Sequence, residues 1–531
     1  MPNYKKLKHR PYPDSTKKSQ PIKPYCSFLH TAIIPTHFNG VINMVESVPI
    51  SNGHDILIRG GLVVSGKRTQ KLDVAIKGEK IAAIETHPSE LRASREIDGS
   101  GYFVLPGIID AHNHPINLDK MDTFTLSSAF GGVTTVIPFM QNMRSRGIEG
   151  TTSETIENFI EESSDISYLD FGVHAILFGD DDVTTEVPKL IDMGVISFKM
   201  YMTYPKRGMM MPDERMLEAM SIASSMGGLA MVHAENGYCI DYLTEAFIEA
   251  GKTGREYYAK SQPRILEVEA ANRAATYATV TDCPLYVVHL SAREVLAVID
   301  RYKAEGLSIF GETCPQYLDL TNQMVLDHGA LAKIGPPLRS SEDNEAMWGG
   351  IKSGVVDTVA SDFCGFNKSQ KYSGGRSTGT IRELDDIDDH SSIFDASFGG
   401  NWTEQMLPVV YEEGVNKGRI TVNKLVEVMC ENPAKIFGIY PRKGTISVGS
   451  DADIVLFDPT IQHTLSADLQ HCEADFTMFE GKEILGKPVF SMQRGNVVIE
   501  DGKIHTKQGS AVYLAGDVNL TASAPNGHKI V

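Results

Sequence analysis

The sequence predicts an α/β protein: a (β/α)8 barrel of the TIM type with a second, discontinuous small β-sandwich domain. Eight continuous apolar runs recur between residues 104 and 361, helix-like segments separate most of them, and short strands bracket the region on both sides. Apolar strands that alternate with helices indicate a parallel sheet buried on both faces. Eight such units in about 260 residues match the size of one barrel.

Length and composition bound the class of protein. The chain has 531 residues, 42% of them hydrophobic, and a formal net charge of -18 from 68 acidic and 50 basic residues. The acidic excess argues against nucleic acid or an anionic membrane surface as the main partner. No apolar run approaches the roughly 18 residues that a membrane-spanning helix needs. We therefore expect neither nucleic acid nor a membrane as the main partner.

The cysteines favour a reducing compartment. Seven are scattered along the chain, the count is odd, and no Cys-x-x-Cys pair occurs. This pattern is typical of reduced thiols and not of a disulfide framework. We predict a cytoplasmic protein whose cysteines mainly fill the core.

Residues 1–53 form a basic extension rich in lysine and proline near its start. It has no apolar stretch of the kind that a secretory signal contains. We predict a disordered tail. An organelle-targeting segment is the alternative, but arginine is sparse and no amphipathic pattern is evident.

Short strands begin at residue 54, in the runs ILIRGGLVV, KLDVAIKGEKIAAIE and REIDGSGYFVLP, with Gly60–Gly61 as a turn signal. Similar strands return near the end of the chain. Because each set alone has too few strands to be stable, we predict one small β-sandwich domain from residues 54–105 and 440–506. The polar segment 507–531 is expected to be disordered or to cross to a neighbouring subunit.

Residues 106–439 are predicted to form the barrel. Its strands are expected at Val104–Asp110, Thr134–Phe139, Phe171–Phe178, Val195–Tyr201, Leu229–His233, Leu285–His289, Ser308–Glu312 and Asp357–Ser361. A doubly wound open sheet is the alternative, but no Gly-x-Gly-x-x-Gly follows a first strand.

Barrel active sites lie at the carboxyl ends of the strands. Four histidines, a lysine and a carboxylate lie at or near such ends: His112, His114, Lys199, His233, His289 and Asp362. Residues two apart on a strand point to the same side, so the first two imidazoles can close on one metal ion. Each residue alone has a structural explanation, such as a satisfied core histidine or a capping aspartate. Their convergence on one mouth of the barrel predicts a metal site.

Lys199 needs a separate explanation, because an ammonium group cannot ligate a metal and its burial beside cations is costly. A neutral lysine amine can react with CO2 to give a carbamate, whose two oxygens can bridge two ions. The site would then hold two divalent metals, one on His112, His114 and Asp362 and the other on His233 and His289. Imidazole and carboxylate ligands without thiolate make zinc the leading candidate, with iron, manganese and cobalt as alternatives.

Several motifs resemble the amidohydrolase superfamily and, within it, the dihydropyrimidinase/D-hydantoinase family of cyclic amidases. They include PGIIDAHNHP, FGGVTTVIPF, SFKMYMTY, VHAEN, VVHLSA, GETCPQYL, PPLR and ASDFCGFN, and the similarity covers about residues 55–505. The resemblance implies hydrolysis of the ring amide of a dihydropyrimidine or hydantoin to an N-carbamoyl amino acid, by attack of a metal-bridging hydroxide on the ring carbonyl. It also implies a homo-oligomer, in the family a homotetramer.

The resemblance assigns roles to individual residues. Asp362 matches the family's base, which moves the proton of the attacking hydroxide to the leaving nitrogen. Tyr204 matches the tyrosine that donates to the developing oxyanion, a contact worth about 3 to 4 kcal/mol. Lys199 matches the carboxylated lysine. Gly335 occupies the position of a serine whose backbone contacts the substrate, and we keep it as a substrate-binding candidate.

Three departures leave the ring substrate open. Phe363 stands where the family usually has histidine, and Gly335 replaces serine. The next substrate-contacting residue, usually asparagine, aligns with Phe398 or Gly399, close to an acidic insertion, ELDDIDDHSS. The loop after His114 is also shorter than in typical hydantoinases. A cyclic imide or another ring amide is therefore an alternative substrate.

Sister families fit less well. Dihydroorotase-like proteins usually have arginine where this chain has Ile116, and allantoinase-like proteins typically lack the spacing of Lys199 and Tyr204. The non-catalytic collapsin-response-mediator proteins resemble dihydropyrimidinases but have lost metal ligands. All six ligand positions are filled here, which favours an enzyme over a scaffold.

Overall fold

The structure, a computed structural model, describes residues 53–373 and 392–519, apart from positions 143, 145, 146 and 148. The predicted disordered tail at residues 1–52, nearly all of the acidic insertion and residues 520–531 lie outside the described residues.

The described strands and helices alternate through the middle of the chain, as predicted. The strands are β1 His54–Val64, β2 Thr69–Lys77, β3 Lys80–Thr86, β4 Ala93–Asp98, β5 Phe103–Pro106, β6 Ile108–Asn113, β7 Val133–Met140, β8 Asp170–Phe171, β9 His174–Ile176, β10 Ser197–Tyr201, β11 Leu229–His233, β12 Leu285–Val287, β13 Ile309–Thr313, β14 Thr358–Val359, β15 Ile454–Thr464, β16 Glu483–Gln493, β17 Asn496–Glu500 and β18 Lys503–Ile504. The α-helices are α1 Met121–Phe130, α2 Thr152–Ile166, α3 Val183–Asp192, α4 Asp213–Ser225, α5 Gly237–Glu249, α6 Tyr258–Ser261, α7 Ile265–Thr281, α8 Val295–Ala304, α9 Pro315–Asp319, α10 Gln323–His328, α11 Ser341–Ser353, α12 Lys368–Ser373, α13 Met406–Val410, α14 Val422–Val426 and α15 Asn432–Ile436. Single π-helical turns, Tyr411–Asn416 and Glu427–Glu431, follow α13 and α14.

The predicted barrel is confirmed. Its strands are hydrogen-bonded in the order β6-β7-β9-β10-β11-β12-β13-β14, with β8 beside β7, and the pairs are parallel. The first and last strands meet through a bridge between Asn113 and Phe363. The amide of Asp362 donates to the carbonyl of His112 over 2.8 Å. This closure brings the ends of β6 and β14 together.

Small side chains let one helix lie close to the barrel sheet. α7 buries an alanine face, formed by Ala270, Ala271, Ala274, Ala275 and Ala278, with each of these side chains fully buried. Alanine also has the highest helix propensity. The strands beside it are buried along their whole length, which explains their continuous apolar sequences.

The small β domain takes strands from both ends of the barrel region, as predicted. Its nine strands form one hydrogen-bonded sheet in the order β18-β17-β16-β15-β5-β1-β2-β3, with β4 beside β1. The two halves of the chain join where β5 pairs with β15. The chain then enters the barrel at Gly107, where a Cβ atom would lie only 2.0 Å from Oγ1 of Thr134. Glycine fits at this crossing because any side chain would overlap the Thr134 side chain.

The turn predicted at Gly60–Gly61 is wrong. Both glycines lie inside β1, at a register shift against β2. Gly60 has φ +64°, and its amide donates to Oδ1 of Asp73 over 2.7 Å. The pair therefore forms a bulge within one strand. Bulges and turns both use glycine, and the local sequence does not distinguish them.

The first part of the C-terminal segment packs on its own barrel, in contrast to the prediction that residues 507–531 are disordered or cross to a neighbour. The amide of Leu514 donates to Phe171 over 2.7 Å, and the amide of Gly516 donates to Gly194 over 2.9 Å. Leu514 is buried. A few buried apolar residues and backbone hydrogen bonds are enough to hold this polar segment.

Among the described residues, no helix combines the length and apolar character needed to cross a bilayer. The six cysteines in this part of the chain are free thiols.

Candidate metal centre

The predicted site residues meet at the carboxyl ends of β6, β10, β11, β12 and β14. Three of them, Tyr204, His289 and Asp362, have left-handed backbone conformations with φ of 62°, 40° and 52°. Such conformations cost of order 1 kcal/mol or more outside glycine and collect at functional sites. Here they turn the side chains back over the barrel mouth.

The first group of predicted ligands lies where β6 meets β14. One ligand atom from each of His112, His114 and Asp362 lies within 4.8 Å of the others. Oδ1 of Asp362 is 3.1 Å from Nε2 of His112 and 3.8 Å from Nε2 of His114. Burial, with a contribution from the nearby Lys199 charge, holds the pKa of His114 well below its usual value. The ring is therefore neutral, the form that ligates metals.

The second group is the pair His233 and His289, both buried. Nδ1 of His233 is 3.1 Å from Nε2 of His289. Nε2 of His233 lies 2.8 Å from Oε2 of Glu235, and a proton held there would leave the Nδ1 lone pair facing His289. Burial lowers the pKa of His289 well below its usual value. The pair thus offers two nitrogen ligands at one point.

Lys199 lies between these groups. Its Nζ is 3.3 Å from Nε2 of His112 and 4.2 Å from the centre of the Phe139 ring. The side chain is 1% exposed, and burial lowers its pKa to about 8 although Asp362 and Glu312 oppose the effect. The lowered pKa makes the neutral amine more accessible than in an exposed lysine, and only the neutral amine is a nucleophile.

The polar contacts fit a bound cation. The His112 ring lies between two carboxylates, with Nδ1 2.5 Å from Glu312 and Nε2 3.1 Å from Asp362. A neutral imidazole has one proton and can donate to only one of them. The other contact needs a positive charge, which a metal ion or a second proton supplies. The facing nitrogens of His233 and His289 complete a ligand set of imidazoles and carboxylate that suits zinc.

Tyr204 and Gly335 lie beside the second group of predicted ligands. The Tyr204 ring is 5.4 Å from the His233 ring and 5.7 Å from the Phe398 ring. Burial raises the pKa of Tyr204 well above its usual value, so its hydroxyl keeps its proton and can donate. A Cβ atom at Gly335 would lie 2.9 Å from this hydroxyl and 3.2 Å from Cδ1 of Phe398. The absence of a side chain at Gly335 therefore leaves room for the Tyr204 hydroxyl and the Phe398 ring.

The segment that carries Phe398 is held by two buried lysines that the sequence analysis did not identify. Nζ of Lys333 donates to the carbonyls of Phe394 and Ala396 at 3.0 and 2.7 Å. Nζ of Lys371 donates to the carbonyls of Lys333, Ser397 and Gly399 at 2.7 to 2.9 Å. These hydrogen bonds hold the segment that carries Phe398 beside Tyr204.

Phe363 does not face the ligands. Its ring is buried and packs 4.8 Å from the Phe124 ring. Its backbone matters more, because the amide of His114 donates to its carbonyl over 2.6 Å. The Phe363 side chain thus packs away from the predicted ligands, while its backbone carbonyl holds the His114 amide.

Two carboxylates beside the ligands were missed. Glu312 and Glu235 are both buried and contact His112 and His233. Glu312 ends the seventh predicted strand, so the strand-end rule that identified the ligands also applies to it. Glu235 follows His233 by two residues and lies beyond the predicted strand end, so the strand-end rule does not identify it.

Comparison with known proteins gives one consistent family. The model of the amidohydrolase family matches residues 103–484. The D-hydantoinase of Geobacillus stearothermophilus is 36% identical over 472 residues, which cover 86% of this chain and 96% of the relative. The dihydropyrimidinase of Rattus norvegicus is 33% identical over 477 residues, with 86% and 88% covered.

Solved structures agree with the sequence comparison. The crystal structure of dihydropyrimidinase from Brevibacillus agri superposes with a TM-score of 0.80 at 33% identity, and the match covers 88% of this chain and 99% of that one. The similarity therefore spans both the barrel and the small β domain.

Proposed function

This chain belongs to the amidohydrolase family and, within it, to the group of dihydropyrimidinases and hydantoinases, and we propose that it opens the ring amide of a dihydropyrimidine or hydantoin. The product is an N-carbamoyl amino acid. The observation that carries the proposal is the convergence of His112, His114 and Asp362 with His233 and His289 around the buried Lys199.

Two divalent metals, with zinc as the leading candidate, would supply a Lewis acid for the ring carbonyl and a water of lowered pKa. We assign His112, His114 and Asp362 to one ion and His233 and His289 to the other. Carboxylation of Lys199 would convert a buried cation into an anion with two oxygen ligands. Its lowered pKa and full burial favour that reaction over retention of the ammonium.

Asp362 is the proposed base. Its Oδ1 faces the ligand nitrogens of His112 and His114, so a proton taken from the attacking water would be held at the centre of the site. Delivery of that proton to the ring nitrogen breaks the carbon–nitrogen bond. The backbone of Asp362 is left-handed, and its amide donates to the carbonyl of His112, which anchors this residue beside the predicted ligands.

Tyr204 is the proposed oxyanion donor. Its hydroxyl is protonated, and the ring is held between His233 and Phe398. A fixed donor that requires no reorganisation during the reaction stabilises developing charge effectively. The backbone of Gly335 borders the same hydroxyl, so the substrate ring would lie against Gly335 and Phe398.

The experiment that tests the function is hydrolysis of a panel of ring amides by purified protein of known metal content. The panel contains dihydrouracil, hydantoin, a 5-aryl hydantoin, a cyclic imide, allantoin and dihydroorotate. We expect turnover of dihydrouracil or a hydantoin. Turnover of the cyclic imide alone would correct the substrate class, and a protein with neither metal nor turnover would contradict the enzyme assignment.

Two further proposals concern the state of the protein in the cell. We expect a cytoplasmic protein, because the six described cysteines are free thiols. We also expect a homo-oligomer, a tetramer if it follows the resemblance. Light scattering on the purified protein measures the assembly directly.

A further inference from the structure

Glu312 lies at the end of β13, directly beneath the two predicted ligand groups, and its side chain is 0% exposed. Oε1 is 2.5 Å from Nδ1 of His112 and accepts from the amide of His289 over 3.0 Å. Oε2 accepts from the hydroxyl of Tyr286 over 2.7 Å. A buried carboxylate is costly unless hydrogen-bonded, and this one has three partners.

The contact with His112 determines which ring nitrogen is free. A carboxylate beside Nδ1 holds the imidazole proton there. The lone pair of Nε2 then points toward Oδ1 of Asp362 and Nζ of Lys199, which lie 3.1 and 3.3 Å away. Histidines that ligate metals almost always have such a partner on the other nitrogen.

The contact with His289 acts on the backbone. His289 has φ +40°, a conformation that non-glycine residues adopt only when their surroundings hold it. Its amide donates to the same Oε1 that contacts His112. One oxygen atom of Glu312 thus contacts one histidine from each predicted ligand group.

We propose that Glu312 is a positioning residue for both metal sites: it sets the tautomer of His112 and the backbone conformation of His289. This role rests on the proposed function in one respect, that the site binds metal. Glu312 itself is not expected to contact the substrate. An alternative role is purely structural, since Glu312 also joins β13 to β12 through Tyr286.

The test compares three variants of the full chain. Glu312→Leu removes the contacts with His112 and His289, and Glu312→Gln keeps the shape and the acceptor oxygen but removes the charge. Tyr286→Phe leaves both contacts of Oε1 in place and removes the bonds of the Tyr286 hydroxyl to Oε2 and to Thr358. Each protein is stripped of metal and titrated with Zn²⁺ against a competing chelator. Thermal unfolding of the metal-free proteins is measured in parallel.

We expect Glu312→Leu to weaken Zn²⁺ binding by about 10- to 100-fold, the usual effect of removing such a partner. Glu312→Gln should give a smaller loss, and Tyr286→Phe should bind Zn²⁺ as the wild type does. Co²⁺ absorption spectra should change in the two Glu312 variants only. If Glu312→Leu does not fold, the Zn²⁺ affinity of Glu312→Gln is compared with that of Tyr286→Phe instead.

Two outcomes would overturn the proposal. One is wild-type Zn²⁺ affinity in the Glu312 variants, and the other is an equal loss in Tyr286→Phe together with equally lowered metal-free stability, which would mark a structural role. A wild-type protein that binds two metals but turns over no ring amide would contradict the proposed function while this proposal stands.

Discussion

Nζ of Lys199 lies 3.3 Å from Nε2 of His112, and both side chains are buried. An ammonium at this position would have the Phe139 ring, 4.2 Å away, and the Asp362 charge as its main compensation. The proposed carboxylation of Lys199 would replace this buried cation with an anion that can ligate the predicted metals.

Lys199→Ala should abolish ring-amide hydrolysis and lower the metal content by at least one ion per chain, because the variant cannot form the proposed shared ligand. Short-chain carboxylates such as acetate or propionate should restore part of the activity by entering the space. Metal analysis and hydrolysis rates with and without the carboxylate measure both effects. The exposed Lys189 provides a control, Lys189→Ala. Full activity with two metals in Lys199→Ala would exclude the carbamate.

Tyr204→Phe should lower kcat by about 100- to 1000-fold, the usual effect of losing one oxyanion donor. Metal content should not change, because the hydroxyl is not a predicted ligand. Steady-state kinetics measures the change in kcat, and metal analysis measures the metal content. Tyr242→Phe, at a side chain that is 73% exposed, should behave as the wild type. An unchanged kcat in Tyr204→Phe would remove the donor role.

Gly335→Ser should reduce activity, because the new Cβ atom would lie 2.9 Å from the Tyr204 hydroxyl and 3.2 Å from the Phe398 ring. Tyr204 or Phe398 must move to accommodate it. Adding Phe398→Ala should restore part of kcat, since the smaller residue frees space for the serine. Kinetics of both single variants and the double variant form a cycle. Independent, additive effects would mean that positions 335 and 398 are not coupled through Tyr204.

Asp73→Asn should destabilise the small β domain by about 1 to 3 kcal/mol near neutral pH, the cost of breaking buried hydrogen bonds to a charge. The wild-type carboxylate accepts from Ser89, Gly60 and His87. These bonds outweigh burial, which acts in the opposite direction, and lower the pKa of Asp73 to about 2.

The sign of the pH dependence follows from that lowered pKa. The folded value lies below the unfolded value of about 3.9, so this stabilisation is present above pH 4 and is lost as the pH falls toward 2. The difference in urea midpoint between wild type and Asp73→Asn should therefore shrink with acidification. Glu90→Gln, at a side chain that is 99% exposed, should show no difference at any pH. A constant difference for Asp73→Asn across this range would contradict the assigned pKa.

Much of the barrel and its site could be predicted from the sequence, because the signals are local. Buried parallel strands appear as continuous apolar runs. A residue at the end of such a run faces the barrel mouth, whatever the rest of the chain does. His112, His114, His233 and His289 follow from this rule, and Asp362 follows from it in the last strand.

Only the tertiary structure decided how these residues are supported. Glu312 contacts His112 across 200 residues of sequence, and this depends on the register of strands around the closed barrel. The fit of Gly335 to Phe398 and the packing of Leu514 against β8 likewise join distant segments. Local sequence also could not separate a bulge from a turn at Gly60, since glycine permits both. Which residues line the site is thus set by strand periodicity, whereas their protonation, orientation and fit to a substrate are set by contacts that exist only once the sheet closes.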